Sequence, residues 1–117
     1  MFSLGSSHRY FLYRGACDMR KSFDGLCGLI NLELQRDPTS GEVFVFLNRR
    51  GTHMKLLHWE RGGFVLYYKR LEQGSFAVPK TLPADGVLTW SELVLMVEGI
   101  LIEKQRLRRR FELTKTA

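Results

Sequence analysis

Apolar positions recur along this chain with two different periods, and the switches between the periods mark its elements. Phe23, Leu26, Cys27, Ile30 and Leu34 fall at steps of three and four, which gathers them on one face of a helix. Asp18 stands ahead of them, where a carboxylate can accept from the free N–H groups of a first turn. Asp37-Pro38-Thr39-Ser40-Gly41 predicts the helix end, because proline disfavours helix at the residue before it and glycine completes a turn. Upstream, His8 to Arg14 is rich in aromatics and closed by Gly15, the signature of a first strand.

From Glu42 onward the period shortens to two. Glu42 to Leu47 is a mostly apolar run of β-branched and aromatic residues, a candidate central strand. Asn48-Arg49-Arg50-Gly51 fits a hairpin turn with glycine at the left-handed position. His53 to Glu60 and the run from Phe64 alternate as strands, with Arg61-Gly62-Gly63 turning the chain between them. Three strands joined by short turns predict an antiparallel meander. Placing Met54, Leu56, Phe64, Leu66 and Tyr68 inside leaves Lys55, Trp59, Tyr67 and Lys69 outside together, which keeps the charges out of the core. The competing expectation makes Trp59 and Tyr67 a second core layer under a helix. Gly74 to Pro83 reads as an extended connection, and Thr89-Trp90-Ser91-Glu92 has capping-box spacing for a last helix. Leu93, Met96, Val97, Ile100 and Leu101 continue it as an apolar stripe that Gly99 interrupts. The expectation is one α+β domain: an antiparallel β-meander sheet packed against two main helices, with a core over residues 8–102 and a basic tail over 103–117.

Charge changes the picture next. The 117 residues carry 18 Lys/Arg against 12 Asp/Glu, a net charge of +6. Such a surface attracts polyanions through long-range steering and counterion release, without implying sequence specificity. The N-terminus lacks a basic segment followed by an apolar run, and no stretch approaches the length of a membrane span, so the expected compartment is the cytoplasm with no membrane partner. Cys17 and Cys27 are then expected reduced, as small buried hydrophobes.

Catalytic chemistry finds little support. Metal-dependent strand cleavage or transfer needs converging carboxylates, whereas the acids here are scattered. Zinc would need four ligands from two cysteines ten residues apart and three histidines, two of which (His53 and His58) point to opposite faces of a strand. No enzyme activity, metal or cofactor is expected.

The basic groups are better placed. Residues 49–79 hold six Lys/Arg and two Glu among a Trp, two Tyr and two Phe. Cations can meet phosphates while rings pack on sugars or bases. The candidate nucleic-acid contacts are Arg20, Lys21, Arg49, Arg50, Lys55, Trp59, Arg61, Tyr67, Lys69 and Arg70, with Lys104, Arg106, Arg108, Arg109 and Arg110 of the tail. Arg20 and Lys21, assigned to the first helical turn, oppose the macrodipole, which points either to a phosphate or to pairing with Asp18 or Asp24. The tail is either a phosphate-gripping arm or a solvated helix end.

Several of these segments occur in an order that belongs to a known family. Asp18-Met19-Arg20-Lys21-Ser22-Phe23-Asp24-Gly25-Leu26 is followed by Val43-Phe44-Val45-Phe46 with Arg49-Arg50, then Lys55, Leu57 and Trp59. Gly63-Phe64 and Tyr68-Lys69-Arg70-Leu71-Glu72, with Gly74 and Phe76, complete the set. The chain thereby resembles, over residues 8–102, the TnpB-type accessory protein of insertion-sequence family sixty-six, which is distinct from the RNA-guided nuclease of the same name. Ser22 replaces the usual glycine and Glu60 the usual aspartate. The resemblance implies a bacterial mobile-element protein, encoded beside a separate DDE-type transposase and assisting transposition, with no catalytic residues to carry over. Two expectations follow: a DNA-binding accessory factor, or an interaction module that binds the element's transposase or a second copy of itself as a homodimer. RNA binding ranks last, for want of a recognisable signature.

Overall fold

The computed structural model describes residues 4–98. Five strands form one sheet in the order β4-β3-β2-β1-β5. They are β1 (Tyr10–Leu12), β2 (Val43–Leu47), β3 (His53–Glu60), β4 (Gly63–Arg70) and β5 (Val87–Leu88), with helix α1 (Phe23–Leu32) between β1 and β2. A second helical segment, α2, occupies residues 90–98. The expected meander is present as β2-β3-β4, all antiparallel. The sheet as a whole is mixed, because β1 lies parallel to β2 and takes β5 antiparallel on its other side. A parallel neighbour needs a crossover, and α1 with its flanking loops supplies it.

Both faces of the sheet are covered. On one, Phe11, Phe44, Phe46 and Leu57 pack with Leu26 and Ile30 of α1. On the other, Tyr10, Leu12, Val43, Val45, Leu47, Met54 and Leu56 pack with Leu93 and Met96 of α2. That is why β2 reads as a continuous apolar run: each of its five residues is buried, alternately under α1 and under α2. Thr89 and Glu92 form the reciprocal capping box at the start of α2, Thr89 N–H donating to Glu92 Oε1 at 3.0 Å and Glu92 N–H to Thr89 Oγ1 at 3.1 Å.

Two helix boundaries differ from expectation. Ser22, not Asp18, occupies the N-cap of α1, so Arg20 and Lys21 precede the helix and lie outside its first turn. Asp18 instead closes a local turn, accepting from Arg20 N–H at 2.9 Å. The helix ends at Leu32, well before Pro38, where Gln35 takes a left-handed φ of 53° and Leu34 N–H returns to the Leu29 carbonyl. Cys17 is buried as a free thiol, and Cys27 is half-buried.

The larger correction concerns the β3-β4 register. The turn has two residues, Arg61 and Gly62, both at positive φ (50° and 83°), so Glu60 pairs with Gly63. An Arg61–Gly63 turn of three residues would have paired Glu60 with Phe64. That single step moves every side chain of one strand to the other face relative to its partner. Lys55 therefore pairs with Tyr68 and Trp59 with Phe64 on the α1 face, while Tyr67 and Lys69 pair with Leu56 and Met54 on the α2 face. Lys55 and Trp59 do not share a face with Tyr67 and Lys69, and Met54 and Leu56 do not share one with Phe64, Leu66 and Tyr68.

Candidate nucleic-acid interface

The parallel pairing of β1 and β2 brings their carboxyl ends to the same side of the sheet, beside the start of β3 and the end of β4. Eight cations follow from that topology. Arg14, Arg20 and Lys21 lie in the loop after β1, and Arg49 and Arg50 in the turn after β2. Lys69 and Arg70 end β4, and Lys80 lies on the extended segment that follows.

Four of them, Arg14, Arg49, Arg50 and Lys80, line one cleft of about 390 Å³. Its apolar lining includes Leu12, Leu47, Phe76, Val78, Pro79 and Leu82, and no carboxylate is among its lining residues. Arg14 is held in place by donating from Nη1 to the Pro83 carbonyl at 3.0 Å. Among the described residues no carboxylate pairs with any of the four. Gly51, at φ 69°, closes the Asn48 turn that presents Arg49 and Arg50, donating to the Asn48 carbonyl at 3.1 Å. The Asn48 side chain fixes the same turn by accepting from Thr52 N–H and His53 N–H at 2.9 and 3.0 Å.

The neighbouring cations are more committed. Arg20 forms a bidentate pair with Asp18, with Nη2 to Oδ2 at 2.7 Å, and it pulls that carboxyl down to about 2. Arg70 forks onto Glu72 Oε1 at 2.9 and 3.1 Å. Both pairs are exposed, where water and salt weaken them.

Lys55 is not a surface cation. It is only 5% exposed, and its Nζ donates to the Met19 carbonyl at 2.7 Å and to the Lys21 carbonyl at 2.6 Å. Its ammonium also lies 4.6 Å from the centre of the Tyr68 ring. The side chain ties the Arg20–Lys21 loop to the sheet and is withdrawn from any phosphate. Trp59 and Tyr67 are each half-buried on opposite faces, Trp59 edge-on to Phe64 at 4.8 Å and Tyr67 against the α2 core. They do not form the shared aromatic surface expected of them. Tyr68, expected inside, is 55% exposed.

Arg61 lies at the tip of the β3-β4 hairpin, the opposite end of the sheet from the cleft. At that end Glu42 neutralises cations: Arg36 binds it at 2.7 and 3.0 Å, and Arg9 approaches to 3.7 Å. Lys104, Arg106, Arg108, Arg109 and Arg110 lie outside the described residues. Sequence reasoning missed Arg14 and Lys80. Arg14 closes a strand pattern and Lys80 sits between two prolines, and only the pairing of distant segments brings them to Arg49 and Arg50.

Among the described residues, no group of three or more His, Cys, Asp or Glu is placed to hold a metal ion. His8 and His58 lie edge to face at 5.0 Å, with each Nδ1 buried and lacking a hydrogen-bond partner. None of the described helices is long and apolar enough to cross a membrane.

Residues 8–107 match the family model described as IS66 Orf2 like protein. The chain is 35% identical over 85 residues to the uncharacterized protein y4jC of Sinorhizobium fredii, covering 71% of each. It is 29% identical over 100 residues to the uncharacterized protein y4hO of the same organism, covering 86% of this chain and 87% of the relative. No solved structure matches it.

Proposed function

The chain belongs to the IS66 Orf2-like family of insertion-sequence accessory proteins, and from that premise we propose that it assists transposition by binding DNA through the basic end of its sheet. The observation that supports this reading is the cleft in which Arg14, Arg49, Arg50 and Lys80 converge with no carboxylate among them. Four like charges held together repel one another, and a polyanion removes that repulsion while releasing its own condensed counterions. At about 390 Å³ the cleft is too small to enclose a duplex, so it meets one strand of the phosphate backbone along its rim. Lys69, Arg70, Lys21 and Arg20 extend the contact toward β4 and the loop after β1. Contacts of this kind give affinity and register with little base reading, so the choice of element ends falls to the transposase. The role is that of a non-enzymatic accessory factor.

Fluorescence anisotropy of a labelled duplex across a salt series tests the reading. The four cleft cations alone predict a log–log slope of roughly −4, hence at least about a hundredfold loss of affinity between about 50 and 200 mM salt, and the flanking cations steepen it. Absence of binding to duplex and to single-stranded DNA alike at low salt would overturn it, and would leave an interface with the transposase or with a second copy as the family role of this chain.

A further inference from the structure

Tyr68 is the most exposed Phe, Tyr or Trp side chain among the described residues. It projects from β4, which among the described residues is the edge strand of the sheet and pairs only with β3. Yet the ring is held firmly. The buried Lys55 ammonium sits 4.6 Å from its centre, and the His53 ring packs beside it at 5.9 Å. The ammonium is itself bonded to the carbonyls of Met19 and Lys21, so the lysine links that loop to the back of the ring. Burying an ammonium is costly unless its hydrogen bonds are met, and here carbonyls take two of its three N–H groups while the Tyr68 ring lies 4.6 Å away. An exposed cation stands beside it: Arg70 lies two residues further along the same face of β4, opposite His53, in a salt-sensitive surface pair with Glu72.

We propose that Tyr68 is a stacking platform for an unpaired DNA base, so that this protein favours DNA carrying a single-stranded segment over fully paired duplex. The inference rests on the DNA-binding reading above and adds the kind of DNA. In a duplex, base faces are hidden in the stack, and a ring projecting from a sheet edge reaches only sugars and phosphates. Once a base is unpaired, its face is free to lie on Tyr68 while a flanking phosphate takes Arg70 from Glu72. A pre-fixed ring loses little freedom on binding, and stacking tolerates any base.

The experiment compares a labelled oligothymidine strand with a blunt duplex, using the wild-type protein, Tyr68→Leu, Tyr68→Trp and the cleft variant R49A/R50A. Tyr68→Leu is expected to lower single-strand affinity roughly tenfold and leave duplex affinity unchanged, with Tyr68→Trp retaining the single-strand affinity. R49A/R50A is expected to weaken both. Equal single-strand binding by wild type and Tyr68→Leu would overturn the platform while leaving the DNA-binding reading intact. So would an equal loss of both ligands in Tyr68→Leu. Failure of the wild-type protein to bind either ligand would overturn both readings together.

Discussion

Lys55 shows how one side chain can look like a ligand contact and act as an internal tie. A lysine in an alternating strand beside a tryptophan invites a phosphate, but its ammonium is used by two main-chain carbonyls 34 and 36 residues away in sequence. Nothing local in the sequence announces those partners, since they come from a loop with no repeating pattern. Lys55→Met keeps the stem and removes both hydrogen bonds. It is expected to cost about 2 kcal/mol, read as a fall in Tm of about 8 °C by calorimetry. A rise in Tm would mean that burying the charge costs more than its bonds return. Asp18 supplies a second check. Hydrogen bonds from the Arg20 side chain, and then from the Arg20 backbone, lower its carboxyl from 3.8 to about 2. A lowered folded-state value stabilises the fold above pH about 4, and that contribution is lost as pH falls toward 2. NMR titration should place the wild-type midpoint near 2, and Arg20→Ala should move it back toward 3.8.

Most elements were legible because their signals are local. The meander strands, the Asn48–Gly51 turn, the capping box at Thr89 and the apolar stripe of α1 all rest on residues within a few positions of one another. What stayed illegible depended on a count or on distance. Two glycines after Arg61 permitted a turn of two or three residues, and the two-residue form at positive φ exchanged the faces of Tyr67 and Tyr68. The parallel β1-β2 pair and the two-residue β5 depend on contacts between remote segments, and β5 is too short to show a pattern. Gly86 is the junction that makes β5 possible. Its φ is 79°, its carbonyl accepts from Leu12 N–H at 2.8 Å, and a Cβ there would come within 2.3 Å of the Leu12 carbonyl oxygen. Gly86→Ala is therefore expected to destabilise the protein by more than about 2 kcal/mol, from positive-φ strain and displacement of β5. Urea unfolding measures it, and a variant within about 0.5 kcal/mol of wild type would show that β5 is dispensable.

At the scale of the whole molecule the sheet is electrically polar. Its cleft gathers Arg14, Arg49, Arg50 and Lys80 with no carboxylate in the lining, and the Asp18 and Glu72 of that end pair with Arg20 and Arg70, whereas at the far end Glu42 neutralises Arg36 and meets Arg9. The eight residues of β3 separate the two ends by roughly 25 Å, beyond the screening length of physiological salt. Net charge alone would make any arginine as good as another; the folded arrangement does not. The most direct measurement compares duplex affinity for two variants that each lose two positive charges, R49A/R50A at the cleft and R9A/R61N at the opposite end, with asparagine chosen to keep the left-handed turn. A cleft-centred interface predicts a loss of about tenfold or more for R49A/R50A, a salt slope shallower by roughly 2, and affinity near wild type for R9A/R61N. Equal weakening of both variants would contradict it, leaving only the general attraction of a basic protein for a polyanion.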